Sequence, residues 1–281
     1  MSRIAYVNGA YVPLRSASVS IMDRGFQFAD SIYEVWAIRG GRMFDTEAHM
    51  TRLQRSLAEL RITPPMSEAS LMAVMRETMR RNRVSDGIVY VQVSRGAASR
   101  DHVFPAPGTA PTIVVTAKNL DRAAIAKRAA AGIKVISAPE TRWRRRDIKS
   151  VNLLPNVLAR QGAKEKGAFE AWFVDEHGLV TEGTSSNAWI VDSNGVLRTR
   201  ELSFDILHGV TRGAVLKIAQ ERQMKVEERP FTIEEAKTAR EAFITAASNA
   251  ATAAIEIDGV RIGDGKPGSV TEALRAAYLG A

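Results

Sequence analysis

The sequence predicts a mixed α/β fold with two domains and a β-sheet in each half. The chain has 281 residues, which is more than a single hydrophobic core usually organises. Segments with the apolar spacing of helices occur between short strand-like runs rich in β-branched and aromatic residues. A charged, alanine-rich stretch separates the two halves. We therefore predict an N-terminal α/β domain at 1–120, a linker at 121–131 and a C-terminal domain at 132–281.

In the N-terminal half, the first strands are separated by a glycine-containing turn that suits a hairpin. Two later segments place leucine and methionine on one helical face, which predicts two amphipathic helices. The predicted order is strand, turn, strand, helix, helix, helix, strand, loop and strand, at residues 4–8, 9–10, 11–13, 32–39, 46–60, 67–82, 88–94, 96–111 and 112–116.

The C-terminal half contains more predicted strands than helices. One pair of strands is joined by a turn at Glu176, His177 and Gly178, which indicates a hairpin. The predicted order is strand, helix, strand, strand, strand, turn, helix, strand and strand, at residues 134–137, 153–166, 168–174, 179–181, 188–191, 193–195, 211–222, 242–245 and 255–257. No internal repeat or low-complexity segment interrupts this order.

The composition excludes several classes of function. There are no cysteines, and no two of the four histidines have metal-ligand spacing, so we predict no disulfide and no metal site. No secretion signal or membrane-length apolar run is visible, which predicts a cytoplasmic protein with no membrane partner. The net charge is +8, but no aromatic-rich basic strand accompanies it, so nucleic acid is not expected as a partner.

Lys149 is the first candidate for chemistry. It lies where a short extended segment meets a predicted helix, close in sequence to the arginines at 142 and 144–146. A lysine among cations loses its proton more readily, and the unprotonated amine is the form that attacks an aldehyde. On local sequence alone, Lys149 also fits an ordinary solvated surface lysine.

Glu182 is the single acid in a turn of small polar residues that follows a predicted strand and includes Ser186 and Asn187. A carboxylate beside a pyridine nitrogen keeps that nitrogen protonated, and the protonated ring is a better electron sink. The same turn also fits an exposed polar loop with a solvated glutamate.

Phosphate-binding and carboxylate-binding candidates occur in four other places. Gly209 and Thr211 precede an apolar-periodic helix, where Thr211 is a good N-cap and free amides attract phosphate. Ser248 follows a strand and offers a second hydroxyl. Arg52 lies on an amphipathic helix, and Arg100 and His102 lie in a loop, so each can also be read as a solvated surface residue.

Together and in this order, these segments resemble the fold-type IV pyridoxal-phosphate enzymes, and most closely the D-amino-acid transaminases. The resemblance is collinear over nearly the whole chain. The segments that carry it are residues 23–28 with 31–35, 49–53, 100–105, 147–154, 181–187, 209–212 and 255–259. It implies a smaller N-terminal α/β domain and a larger C-terminal domain with a β-barrel-like core.

The resemblance also implies a role for each residue toward pyridoxal 5′-phosphate. Lys149 is implied as the Schiff-base lysine that carries a proton between the substrate and the cofactor, and Glu182 as the partner of the ring nitrogen. The other implied cofactor-binding residues are Arg52, Ser186, Asn187, Leu207, Gly209, Val210, Thr211, Ala247 and Ser248. The implied trap for the substrate carboxylate is Tyr33, Arg100 and His102. The last two come from a neighbouring subunit, so a homodimer is expected.

The implied reaction transfers the amino group of a D-amino acid to an α-keto acid by a ping-pong mechanism. Alanines at 246 and 247 depart from the serine and threonine usual in this family, so the phosphate contact there rests on amides. The basic residues Arg144 and Arg146 suggest acidic substrates. Alternatives on the same fold are a branched-chain L-amino-acid aminotransferase, an (R)-amine transaminase and an aminodeoxychorismate lyase. A basic binding protein without catalysis is the alternative from another class.

Overall fold

The fold is described from a computed structural model, which describes residues 3–280. The chain divides into two compact units. The first comprises Met1–Asp121 together with Ile148–Asn152, and the second comprises Arg122–Asp147 and Leu153–Ala281. Five residues around Lys149 therefore belong to the first unit, although the flanking chain on both sides belongs to the second.

The first unit contains a six-stranded antiparallel sheet in the order β2-β1-β6-β5-β3-β4. Its strands are β1 Ile4–Val7, β2 Ala10–Pro13, β3 Ser31–Arg39, β4 Arg42–Met43, β5 Gly87–Ser94 and β6 Thr112–Asn119. Its helices are α1 Arg24–Phe28, α2 Thr46–Glu59 and α3 Glu68–Asn82. A short 3-10 turn at Leu14–Ser16 follows β2.

The prediction of a helix at 32–39 is wrong, because this segment forms β3. Its residues pair with β5 from Ser31 opposite Ser94 to Ile38 opposite Gly87. The β-branched and aromatic side chains of the segment favour a pleated strand, and alternate residues face the core. A short apolar run does not by itself distinguish a strand from a buried helix.

Helices α2 and α3 were expected from their apolar periodicity, and that expectation is confirmed. Buried side chains on one face of α2 are Met50, Leu53 and Leu57, and they join a core formed with the sheet. Helix α3 begins after Ser67, whose hydroxyl accepts a hydrogen bond from the Ser70 amide. The core-facing positions of β3 thus lie against an amphipathic helix.

The second unit contains a nine-stranded mixed sheet that curls into a half-barrel, in the order β12-β11-β10-β13-β14-β7-β8-β9, with β15 paired to β14. Its strands are β7 Ile133–Pro139, β8 Glu170–Val174, β9 Val180–Gly183, β10 Asn187–Val191, β11 Leu197–Thr199, β12 Val226–Glu228, β13 Glu241–Ala246, β14 Ala250–Ile257 and β15 Val260–Arg261. Its helices are α4 Arg122–Ala131, α5 Leu154–Glu165, α6 Val210–Glu221, α7 Ile233–Lys237 and α8 Ser269–Gly280.

The hairpin predicted at residues 168–181 is confirmed. Strands β8 and β9 are antiparallel, and Gly178 adopts a φ of 77°, which L-residues with side chains rarely adopt. The segment predicted as a linker forms α4 in the second unit, consistent with the helix propensity of its alanines. Helix α8 was not expected from the sequence.

Two findings bear on the classes of function. Within residues 3–280, every helix is too short or too polar to cross a bilayer. The same part of the chain holds no cluster of three or more histidine, aspartate or glutamate side chains that could bind a metal ion.

Candidate active site

The backbone of Lys149 is fixed in the first unit by the beginning of β3. Ser150 forms a β-bridge with Ile32, and the Tyr33 amide donates to the Lys149 carbonyl over 3.0 Å. The Lys149 amide donates to Ser56 Oγ of α2 over 3.3 Å. Contacts from a strand and a helix therefore set the position from which the lysine side chain extends.

The side chain of Lys149 faces an aromatic ring. Lys149 Nζ lies 4.2 Å from the ring centroid of Tyr33, which itself stacks on Tyr90 with centroids 5.6 Å apart. Within residues 3–280, Nζ forms no hydrogen bond and no ion pair. An amine held by its backbone and unpaired with a carboxylate is suited to attack an electrophile.

Arg52 is buried, so it does not lie on the solvent face of α2. Its Nε and Nη2 donate to the carboxylate of Glu34 over 2.9 and 2.6 Å, and His49 Nδ1 lies 2.9 Å from the same carboxylate. Burial opposes ionisation of Glu34, but Arg52 and His49 outweigh it and hold the pKa of Glu34 below its usual range. Glu34 orients Arg52, and sequence reasoning missed it.

The structure brings Arg100 and His102 to the same aromatic ring in the first unit. The Arg100 guanidinium lies 5.0 Å from the ring centroid of Phe28, and the His102 ring centroid lies 5.5 Å from it. Both residues are exposed. Arg24 Nη1 donates to the carbonyl of Asp101 over 2.6 Å, which ties the loop between them to α1.

In the second unit, Glu182 lies in β9 and its carboxylate is buried. Oε1 accepts from Arg142 Nη1 over 2.6 Å, while Oε2 accepts from Asn187 Nδ2 over 3.0 Å and from the Leu207 amide over 3.1 Å. Burial raises the pKa of Glu182 and outweighs the opposing effect of Arg142. Asn187 also donates to the Leu207 carbonyl over 3.0 Å, so the three predicted residues are directly linked.

Ser186 belongs to a turn organised by a carboxylate that the sequence analysis did not single out. Glu170 of β8 is completely buried, and its Oε2 accepts from Ser186 Oγ over 2.9 Å. Its Oε1 accepts from the amide and the hydroxyl of Thr184. The Ser186 hydroxyl is therefore used to hold the turn that follows Glu182.

The beginning of α6 has the features of an anion site. Gly209 is the N-cap, so Thr211 lies in the first turn and not at the predicted N-cap position. Within residues 3–280, the buried Thr211 Oγ1 has no hydrogen-bond partner, and no side chain caps the helix. A Cβ at Gly209 would overlap Asn187 Oδ1. Free amides, an unpaired hydroxyl and a position that only glycine fits are compatible with a phosphate group.

Ala247 and Ser248 lie in the turn between β13 and β14. The Ser248 side chain is exposed, and its Oγ accepts a hydrogen bond from Asn249 Nδ2 over 3.2 Å. This turn follows the strand that pairs with β10, whose first residue is Asn187.

The arginine cluster at 142–146 consists largely of internal ion pairs. Arg146 Nη1 contacts Asp205 at 2.9 Å, and Arg145 Nε contacts the buried Asp147 at 3.0 Å. Arg142 pairs with Glu140 and Glu182. These partners weaken the argument from the sequence that the cluster forms a basic approach or a contact patch.

Similarity to known proteins extends over nearly the whole chain. Residues 31–257 match the family model described as amino-transferase class IV. D-alanine aminotransferase from Bacillus licheniformis is 40% identical over 270 residues, covering 96% of this chain and 94% of the relative. D-alanine aminotransferase from Staphylococcus haemolyticus is 36% identical over 274 residues, covering 97% and 95%.

Two solved structures share the fold. The branched-chain amino acid aminotransferase of Escherichia coli matches with a TM-score of 0.91 and 24% identity, over 100% of this chain and 94% of that one. A branched-chain amino acid aminotransferase from T.th., solved with pyridoxamine 5′-phosphate, matches with a TM-score of 0.90 and 26% identity, over 99% and 93%. The molecule is thus an enzyme with the fold-type IV aminotransferase architecture. The chain belongs to the class IV aminotransferase family.

Proposed function

We propose that this chain is a pyridoxal-phosphate-dependent aminotransferase that transfers the amino group of a D-amino acid, such as D-alanine or D-glutamate, to 2-oxoglutarate or pyruvate. The observation that carries the proposal is the 40% identity to a D-alanine aminotransferase over 96% of the chain. When bound, pyridoxal 5′-phosphate supplies an aldehyde that accepts the amino group and a ring that withdraws electrons.

Lys149 is proposed as the residue that binds the cofactor covalently. Its fixed backbone and unpaired Nζ support this role. After the substrate amine has displaced it, Lys149 Nζ removes the proton from the substrate α-carbon and returns a proton to C4′ of the cofactor. Glu182 is proposed to accept a hydrogen bond from the protonated ring nitrogen, which favours its ionised form.

The phosphate is proposed to bind at the beginning of α6. The amides of Val210 and Thr211, the unpaired hydroxyl of Thr211 and the close approach permitted by Gly209 support this assignment. Further cofactor contacts are proposed for Arg52, Ser186, Asn187, Leu207, Ala247 and Ser248. Among these, Ser186 acts through the turn that it holds with Glu170.

The substrate carboxylate is proposed to bind to Tyr33, Arg100 and His102. Arg100 and His102 are exposed and share Phe28, which supports a joint role. We further propose that they serve the site of a neighbouring subunit in a homodimer, and that the enzyme acts in the cytoplasm.

The spectral half-reaction tests the substrate class. The purified holoenzyme is mixed with D-alanine, D-glutamate, L-leucine or 1-phenylethylamine, and the cofactor absorbance is followed. We expect conversion with D-alanine or D-glutamate. Conversion with L-leucine alone would identify a branched-chain enzyme, and conversion with the amine alone would identify an amine transaminase.

Replacing Lys149 tests the assignment of the covalent residue. Lys149→Ala should abolish turnover and the reducible attachment of the cofactor, measured by mass after borohydride treatment, because the nucleophilic amine is absent. Lys164→Ala is the control, since Lys164 is exposed on α5. Full activity of Lys149→Ala would refute the proposed mechanism.

A further inference from the structure

Arg142 is held more rigidly than any role in solubility requires. Its Nε and Nη2 donate to Glu140 over 3.0 and 2.6 Å, and its guanidinium carbon lies 4.4 Å from the ring centroid of Phe173. Thr181 Oγ1 donates to the same Glu140 carboxylate over 2.8 Å. The guanidinium therefore presents its remaining nitrogen, Nη1, in one fixed direction.

That nitrogen contacts Glu182. The distance from Nη1 to Oε1 is 2.6 Å, and both side chains are more than nine-tenths buried. A charge-assisted hydrogen bond of this length between buried groups is strong, because little water screens it. Arg142 is consequently the main partner that can compensate the buried charge of Glu182.

The hydrogen bonds to Glu182 leave room for one more donor. An ionised carboxylate accepts about four hydrogen bonds. Within residues 3–280, Glu182 accepts three, from Arg142, Asn187 and the Leu207 amide. All three are donors, so the group is arranged as a carboxylate and not as a carboxylic acid.

We propose that Arg142 is a positioning residue that keeps Glu182 ionised and leaves one acceptor position for the protonated ring nitrogen of the cofactor. The inference rests on the proposed function for the identity of that donor. Glu140 has the opposite influence, because it neutralises Arg142 and adds a second negative charge near Glu182. The balance between Glu140 and Arg142 then sets where the proton lies.

The groups that face Glu182 support this balance. Burial raises its pKa, Arg142 lowers it by charge and hydrogen bonding, the Leu207 amide lowers it, and Glu140 raises it. Burial likewise raises the pKa of Glu140, but Arg142 and Thr181 outweigh burial there and leave the pKa lowered. Arg142 makes more contacts with Glu140 than with Glu182, which explains the different outcomes.

The experiment measures the protonation of Glu182 directly. Cofactor-free protein carrying glutamate labelled with ¹³C at the carboxyl group is titrated by NMR, and Glu182→Gln assigns the signal. Arg142→Met should move the titration of Glu182 to higher pH, Arg142→Lys should restore it in part, and Glu140→Gln should move it to lower pH. A purely structural role predicts no such opposite shifts for Arg142→Met and Glu140→Gln.

The second measurement uses the holoenzyme with pyridoxal 5′-phosphate labelled with ¹⁵N in the ring. The nitrogen shift should report a protonated ring in the wild type and in Arg142→Lys, and an unprotonated ring in Arg142→Met. Arg198→Met is the control, because Arg198 forms ion pairs with Asp192 and Glu227 in the same unit.

The outcomes separate the inference from the proposed function. A wild-type protein that does not bind pyridoxal 5′-phosphate overturns the function, while the ¹³C titration still tests the Arg142 effect. If Glu182 titrates at the same pH in the wild type, Arg142→Lys and Glu140→Gln, the inference is wrong. Arg142→Lys and Glu140→Gln keep the test valid even where Arg142→Met does not fold.

Discussion

Thr211 is unusual because its hydroxyl is buried without a partner, within residues 3–280, at the beginning of α6. Leaving a buried polar group without a hydrogen bond costs about 1–3 kcal/mol. Such a cost is often found at binding sites, where a ligand supplies the missing partner. The residue is thus expected to trade stability for affinity.

Replacing Thr211 with valine should reveal this trade. Thr211→Val keeps the side-chain shape and removes the unpaired hydroxyl, so cofactor-free protein should gain about 1 kcal/mol in free energy of unfolding. Affinity for pyridoxal 5′-phosphate should fall roughly tenfold, since one hydrogen bond to a charged group is lost. Urea titration and a fluorescence binding titration measure the two effects.

The matched control for Thr211 is another buried threonine in the second unit. Thr271 Oγ1 donates to Glu241 Oε2 over 2.8 Å, so Thr271→Val should lower the free energy of unfolding by about 1 kcal/mol. If Thr211→Val were destabilised to the same degree, the hydroxyl would have a partner in solution and the phosphate argument would fail.

At the scale of elements, α6 contains two glycines with different surroundings. A Cβ at Gly209 would overlap Asn187 Oδ1, and Asn187 also donates to Glu182. A Cβ at Gly213, one turn later, would meet no atom within 4 Å. The first glycine permits a close approach, while the second only lowers the helix propensity.

Alanine at these two positions should therefore have opposite effects. Gly213→Ala should stabilise the protein by about 1 kcal/mol and leave cofactor binding unchanged. Gly209→Ala should weaken binding of pyridoxal 5′-phosphate, because the helix start or Asn187 must move. Thermal unfolding and binding titrations of both variants check this prediction, and equal behaviour of the two would contradict it.

At the scale of the whole molecule, the proposed homodimer can be tested by complementation. Lys149→Ala and Arg100→Ala homodimers should each be nearly inactive. In a mixed dimer, one site receives Lys149 from one chain and Arg100 from the other, so activity should return when the two variants are unfolded and refolded together.

The same experiment has a clear negative outcome. If Arg100 serves the site of its own chain, each site of the mixed dimer lacks one residue and no activity returns. Sedimentation of the mixture controls for dimer formation, and refolding each variant alone controls for recovery. A monomeric active wild type would overturn the homodimer proposal.

Much of the site could be found in the sequence because its residues occur in short local patterns. Lys149 follows an extended segment, Glu182 lies in a polar turn, and Gly209 with Thr211 precedes an apolar helix. Each pattern depends on neighbours within a few positions, and the order of the patterns carried the family resemblance. The helix N-cap was misplaced by two residues, since the pattern does not show which residue leaves the helical conformation.

The sequence by itself determined the family, the chemistry of the site and most strands and helices, because those depend on local periodicity and on motifs. Only the tertiary structure showed that 32–39 is a strand and that 148–152 belongs to the first unit. It also selected Arg142 for Glu182, 40 positions apart in the chain. A buried charge requires a partner, but strand pairing decides which distant residue comes near enough to be one.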